Sequence, residues 1–218
     1  MQIKIDLKIF IFIIIFIITR QIEIYGMLML FAFLHELGHL FAGILLGFKP
    51  QSLKLNALGL SVNFKVNTKD YNSKLKNGNI LAVKKLVIAI SGPLVNFLLV
   101  FLFSLFNGKV FGIEKNILIY SNLLIGLFNL IPIYPLDGGR IVKNILHISS
   151  GLEDTYSYMS LISFVSIVFL TVFSSIMIIY LKNIAILLII GYLWYLVISE
   201  NKIYNQKVKI YEIIEKLN

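Results

Sequence analysis

Six apolar blocks, parted by short polar stretches, leave this chain few ways to fold. They run at about 5–19, 24–48, 86–107, 116–131, 158–181 and 184–199. A helix that crosses a bilayer needs about 20 mostly apolar residues. The second, third and fifth blocks meet that length. The first is short and carries Lys8, and the fourth and sixth sit near the lower limit, where local bilayer thinning still permits insertion. Hydrophobic residues make up 58% of the 218, and the mean hydropathy is +0.88. So short a chain cannot bury that much apolar surface in a water-soluble core. The expected fold class is therefore an all-α polytopic membrane protein with six transmembrane helices. Lys4 and Lys8 ahead of an apolar run would also suit a signal peptide, but the run is β-branched and lacks a small-residue cleavage site before Arg20.

Charge placement sets an expected orientation. With the N-terminus in the cytoplasm, sixteen of the twenty Lys and Arg fall on the cytoplasmic side, and only Arg20, Lys109, Lys115 and Lys182 on the other. Cytoplasmic loops carry such an excess, so both termini are expected inside. The net charge of +9 is thus a matter of topology, and no nucleic-acid partner is expected. The absence of cysteine removes disulfides, thiolate ligands and cysteine nucleophiles together.

Between Lys49 and Lys85 lies the longest polar stretch. Leu58, Leu60, Val62, Phe64 and Val66 alternate there with polar or small residues, and 52–56 alternate as well. Period two marks a half-buried strand, so a small β-hairpin at about 52–66 is expected against the membrane face. Near the C-terminus, Ile210, Ile213, Ile214 and Leu217 fall at helical spacing, which predicts an amphipathic tail helix on the cytoplasmic surface. Residues 1–199 are expected to form one membrane domain and 200–218 the tail.

The second block contains His35-Glu36-Leu37-Gly38-His39. Residues four apart share a helix face, so both imidazoles can grip one metal ion, with Glu36 beside them as general base. On a solvated helix the same five residues would be an unremarked coincidence. Here they lie deep in an apolar span, where an ionisable group costs at least ~2.5–3.5 kcal/mol and marks a functional site by default. Gly38 also allows a neighbouring helix to approach closely.

A catalytic zinc site has three protein ligands and an open position. Most carboxylates of the chain fall in loops, ends or tails. Asp137 follows the fourth block, in a segment broken by Pro132, Pro135, Gly138 and Gly139. Irregular backbone near membrane depth must be buried in protein or line a wet cavity, which is where a third ligand would be presented. His147 is a further candidate ligand, or else an interfacial side chain.

These motifs together resemble the site-2 protease family of intramembrane zinc metalloproteases, most closely its stage IV sporulation protein FB type. The resemblance is carried by His35-Glu36-x-x-His39, by Asn129-x-x-Pro132-x-x-Pro135-x-Asp137-Gly138, and by Gly92-Pro93-x-x-Asn96, and covers roughly residues 24–143. It implies one Zn²⁺ per chain held by His35, His39 and Asp137, with Glu36 activating water. It also implies that Asn129 orients substrate or stabilises an oxyanion, although a helix C-cap is an equal reading of that residue. For Gly92, Pro93 and Asn96, helix packing is the expected role. The implied activity is endoproteolysis of a membrane-bound or membrane-associated protein in a bacterial cell membrane. A pro-sigma factor in sporulation is one such substrate, and a membrane inhibitor or regulatory partner would accompany it. The resemblance departs at the C-terminus, where no CBS domain is expected after the tail. The rival from another class is a non-proteolytic metal-binding transporter or scaffold. Transporters often show internal repeats and polar residues spread over several spans, and this chain shows neither.

Overall fold

The computed structural model describes residues 2–5, 10, 13–14, 17–18, 20, 22–56, 59–65, 80–110, 112–181 and 185–217. The elements in order are β1 (Gln2–Ile5), α1 (Ile22–Leu45), β2 (Lys49–Asn56), β3 (Gly59–Lys65), α2 (Ile80–Ser104), β4 (Lys109–Val110), β5 (Ile113–Glu114), α3 (Lys115–Asn129), α4 (Asp137–Ser150), α5 (Leu152–Leu181) and α6 (Ala185–Leu217). They group into two compact units, Met1–Tyr71 with Val87–Asn129, and Asn72–Leu86 with Leu130–Asn218.

In the first unit α1 packs against α3 and against β2 and β3. Its core is Phe31, Val110 and Leu118, flanked by Met27, Leu34, Leu99, Phe103 and Ile125. The α1 helix stops at Gly47, whose φ of +84° suits glycine, and the Phe48 N–H turns back to the Gly43 carbonyl at 2.9 Å. That reversal feeds straight into the sheet. β2 and β3 are antiparallel, with Leu53 opposite Val62 and Leu55 opposite Leu60. The expected hairpin is thus present, set at 49–56 and 59–65; Leu58 and Val66, which the alternation included, lie outside the described residues. A third strand was not expected. β1 pairs in parallel with β2, Gln2 opposite Ser52 through Ile5 opposite Leu55. The alternating Gln-Ile-Lys-Ile suits a strand better than the start of a span.

In the second unit α4 packs on α5, and α5 on α6. Tyr156, Met159 and Tyr204 form its core, with Tyr134, Val142, Leu146, Leu152 and Val208 around them. Sequence periodicity did not single out α4. It is short and amphipathic, and Val142 and Leu146, four residues apart, supply the face that it buries. The expected tail helix is the end of α6, which runs unbroken for 33 residues. No Gly or Pro falls between Tyr192 and Leu217 to interrupt it.

Three helices among the described residues are long and apolar enough to cross a membrane: 22–45, 80–104 and 154–178. Six had been expected. The α3 helix, with 15 residues, is shorter than a typical span, and much of 5–19, with 182–184, lies outside the described residues. Large apolar side chains stand bare along these helices, among them Leu45 at 71% and Phe169 at 75% exposure. Apolar surface on that scale needs a covering. With the long apolar helices it marks a membrane protein.

Candidate metal centre

His35 and His39 lie one turn apart on α1, and both are buried. Each ring is held by its Nδ1. The Nδ1–H of His35 donates to Asn96 Oδ1 at 2.5 Å, and that of His39 donates to the Ile88 carbonyl at 2.6 Å, with Ser91 Oγ 3.4 Å from the same nitrogen. A carbonyl accepts only from a protonated nitrogen, so both rings are fixed as the Nδ1–H tautomer. The two Nε2 atoms face each other 3.1 Å apart. Two imidazole nitrogens at that spacing can share one metal ion.

Gly92 explains the space beside them. A Cβ built there would collide with Nε2 of both histidines. Gly38 does the same for the helix contact, since its Cβ would come to 2.8 Å from the Ser91 carbonyl oxygen. The two glycines let α1 and the Val87–Ser104 part of α2 approach to backbone distance. Behind His35 a polar chain continues through the buried Asn96 and Asn122. Asn96 Nδ2 donates to Asn122 Oδ1 at 3.0 Å, and Asn122 Nδ2 donates to the Leu118 carbonyl at 2.9 Å. Every member is satisfied, as a buried polar network requires. Helix packing had been the expected role of Gly92 and Asn96. The structure sets Asn96 against the His35 ring, and Gly92 leaves clearance in front of both rings. Asn122 was not foreseen, although a lone asparagine within an apolar block is a signal of the same kind as Asn96.

Asp137 is presented differently. It is the first residue of α4, 4% exposed, and follows the irregular segment 130–136. Gly138 and Gly139 allow that segment to fold over the first turn. A Cβ at Gly138 would collide with the Leu130 carbonyl, and one at Gly139 with the Tyr134 nitrogen. Arg140 Nη1 sits 3.5 Å from Asp137 Oδ1, an ion pair within the first turn of α4. The segment is anchored on its other side by Tyr134, whose ring meets Tyr204 edge-on at 6.0 Å. The Lys143 ammonium lies 4.6 Å from the centre of the Tyr134 ring, with Tyr156 and Tyr204 also in reach. Burial, and then the Lys207 charge, lower the Lys143 pKa to about 8.

His35, His39 and Asp137, all buried, offer ligand atoms within 4.8 Å of one another. The donors suit zinc. Two nitrogens at the usual Zn–N length and a tetrahedral angle stand roughly 3.3 Å apart, close to the spacing found here. Two imidazoles and one carboxylate leave an open position. Glu36, next to His35, is half-buried. Asn129 ends α3, and its Nδ2 donates to the Ile125 carbonyl at 3.0 Å, a bond local to the helix. His147 is half-buried in the last turn of α4 and is not part of the three-residue group.

Comparison with known proteins gives a consistent answer. The profile of peptidase family M50 matches residues 114–173. A curated zinc metalloprotease of Methanocaldococcus jannaschii is 36% identical over 120 residues, which make 52% of this chain and 31% of the relative. The chain therefore spans about a third of the curated relative that it matches. The solved site-2 protease of the same organism superposes with a TM-score of 0.65 at 23% identity, over 91% of this chain and 90% of the other, and shows a shared fold. The matches support the site-2 protease family, peptidase family M50. Homologues in that family are metalloproteases, and the buried His-His-Asp group is in keeping with zinc.

Proposed function

We propose that this chain is an intramembrane zinc endopeptidase that cleaves a membrane-bound or membrane-associated protein. The observation that carries the reading is the buried group of His35, His39 and Asp137, whose ligand atoms lie within 4.8 Å of one another, with both histidine Nδ1 atoms held by oxygen acceptors. His35, His39 and Asp137 would hold one ion per chain. When bound there, zinc polarises a scissile carbonyl and brings the pKa of a bound water towards about 7. Glu36, beside His35 in sequence, would act as general base towards the attacking water and return the proton to the leaving amide nitrogen. With their Nδ1 protons held by Asn96 and the Ile88 carbonyl, both imidazoles would present Nε2 to the ion. Asn129 keeps its Oδ1 and can turn its amide towards substrate if it gives up the Ile125 bond.

A spanning substrate helix hides its peptide bonds and must unwind before cleavage. In the described sheet β3 is an edge strand, since β2 already has β1 on its other side. An unwound segment can add to that edge by main-chain hydrogen bonds. The expected orientation, with both termini in the cytoplasm of a bacterium, brings substrate from the cytoplasmic side. A pro-sigma factor of sporulation fits such a substrate, as does a membrane-anchored regulator, and an inhibitory membrane partner would restrain the enzyme.

The test is co-expression of the wild type and Glu36→Gln with candidate membrane-bound substrates, a pro-sigma factor among them, read as a size shift on a gel. Cleavage by the wild type alone is expected. Equal cleavage by Glu36→Gln would overturn the protease reading. One zinc per chain in both proteins, with no candidate cleaved by either, would favour a metal-binding scaffold.

A further inference from the structure

We propose that the cleft between α5 and α6 binds the headgroup of an anionic phospholipid. The cleft has a volume of about 550 Å³, and its walls include Phe164 of α5 and Ile198, Asn201, Lys202, Asn205 and Lys209 of α6. It lies where α6 changes character. Residues 185–199 are almost wholly apolar, whereas 200–209 carry Glu200, Asn201, Lys202, Asn205, Gln206, Lys207 and Lys209. A helix that leaves hydrocarbon for water makes such a change at the headgroup level.

The wall is graded in the same direction. Phe164 and Ile198 are 49% and 62% exposed and occupy the apolar end, where acyl chains would lie. Lys202 and Lys209 occupy the other end. They are seven residues apart, which is about two helical turns and ~10.5 Å along the axis, so both stand on one face. Their stems can run along apolar surface while the ammoniums reach a common anion. Among the described residues no acidic side chain lines the cleft. Glu200, the nearest carboxylate in sequence, acts on Lys143 and Tyr204 instead. Asn201 secures the base, its Nδ2 lying 3.4 Å from the Ser160 carbonyl across the helix pair. Its Oδ1 is buried with no donor among the described residues, and a glycerol hydroxyl of the headgroup would supply one. Two lysines, amide side chains and an apolar floor together recognise a phosphodiester joined to acyl chains.

The experiment uses the full chain purified in mild detergent and exposed to mixed phosphatidylglycerol and phosphatidylcholine. Retained lipid is counted by native mass spectrometry. The wild type is expected to keep phosphatidylglycerol in preference, and the exposed pair Lys202→Gln/Lys209→Gln to lose that preference on the order of tenfold. Lys109→Gln, which removes an exposed lysine elsewhere, is expected to leave it unchanged. Millimolar inorganic phosphate is expected to leave the lipid bound, because it lacks the acyl chains. Equal retention of both lipids by the wild type, or an unchanged preference in the double variant, would overturn the proposal. Displacement by inorganic phosphate alone would also overturn it, in favour of a soluble phosphate ligand.

Discussion

The histidine pair and Asp137 offer donor atoms to one candidate metal site but are held by opposite means. The histidines stand on a regular helix, and discrete hydrogen bonds to Asn96 and Ile88 aim their rings. Asp137 stands at the start of a helix, and its position follows from backbone folded against backbone over Gly138 and Gly139. A site pinned by hydrogen bonds should weaken in steps as each bond is removed. One pinned by steric contact should tolerate nothing larger than hydrogen and then fail with the fold around it.

The largest effect is expected where neither kind of support is altered. Glu36→Gln should keep its metal and lose about 10²–10⁴ in cleavage rate, measured on a purified substrate with metal counted in parallel. Gly92→Ala comes next. Its methyl would occupy the space beside both Nε2 atoms, so metal content should fall below about a tenth of wild type while the helical circular dichroism persists; full metal content would remove the steric account of Gly92. Asn96→Ala should weaken metal binding by about 10–100-fold, as loss of an orienting partner does. Asn122→Ala, one bond further back, should cost less, and an equal cost would mean that the chain acts as one unit. Gly138→Ala tests the other mode of support. It should lower stability by about 1–3 kcal/mol as overpacking does, visible in the melting temperature even without metal. An unchanged melting temperature with metal lost would break the contrast drawn above.

The smallest effect concerns the anchor of the loop. The Lys143 pKa in the folded chain, about 8, lies below its ordinary 10.5. The folded state thus releases the proton first, the unfolded state binds more protons between those values, and stability rises with pH across that window until the tyrosines ionise. Below about pH 8 the full penalty of the buried charge is present. Lys143→Met keeps the stem against the tyrosines and should flatten the rise, as read by melting temperature against pH. A rise that survives the substitution would remove Lys143 as its cause.

Much of this was legible in the residues, for identifiable reasons. His35, Glu36 and His39 lie within one turn, so helical geometry alone places both rings on one face. Leu60, Val62 and Phe64 alternate, so a strand followed whether or not its partner was known. Other features were not legible. Val142 and Leu146 make α4 a helix by resting on Tyr156 and Tyr204, which are contacts made far along the chain. The pairing of β1 with β2 joins residues about fifty positions apart, and nothing local in 2–5 names that partner.

The sequence by itself determined that the chain needs a membrane, that two imidazoles and a carboxylate share α1, and that Asp137 follows a break in the helices. Those properties depend on composition and on spacings of a few residues. Tertiary structure alone decided the tautomer of each histidine, through acceptors 61 and 49 residues away. It also decided that Gly92 gives clearance beside the two histidine rings, and that Asn96 and Asn122 form one satisfied chain. Hydrogen bonds and excluded volume act between atoms that only folding brings together, and no spacing in a sequence specifies which atoms those will be.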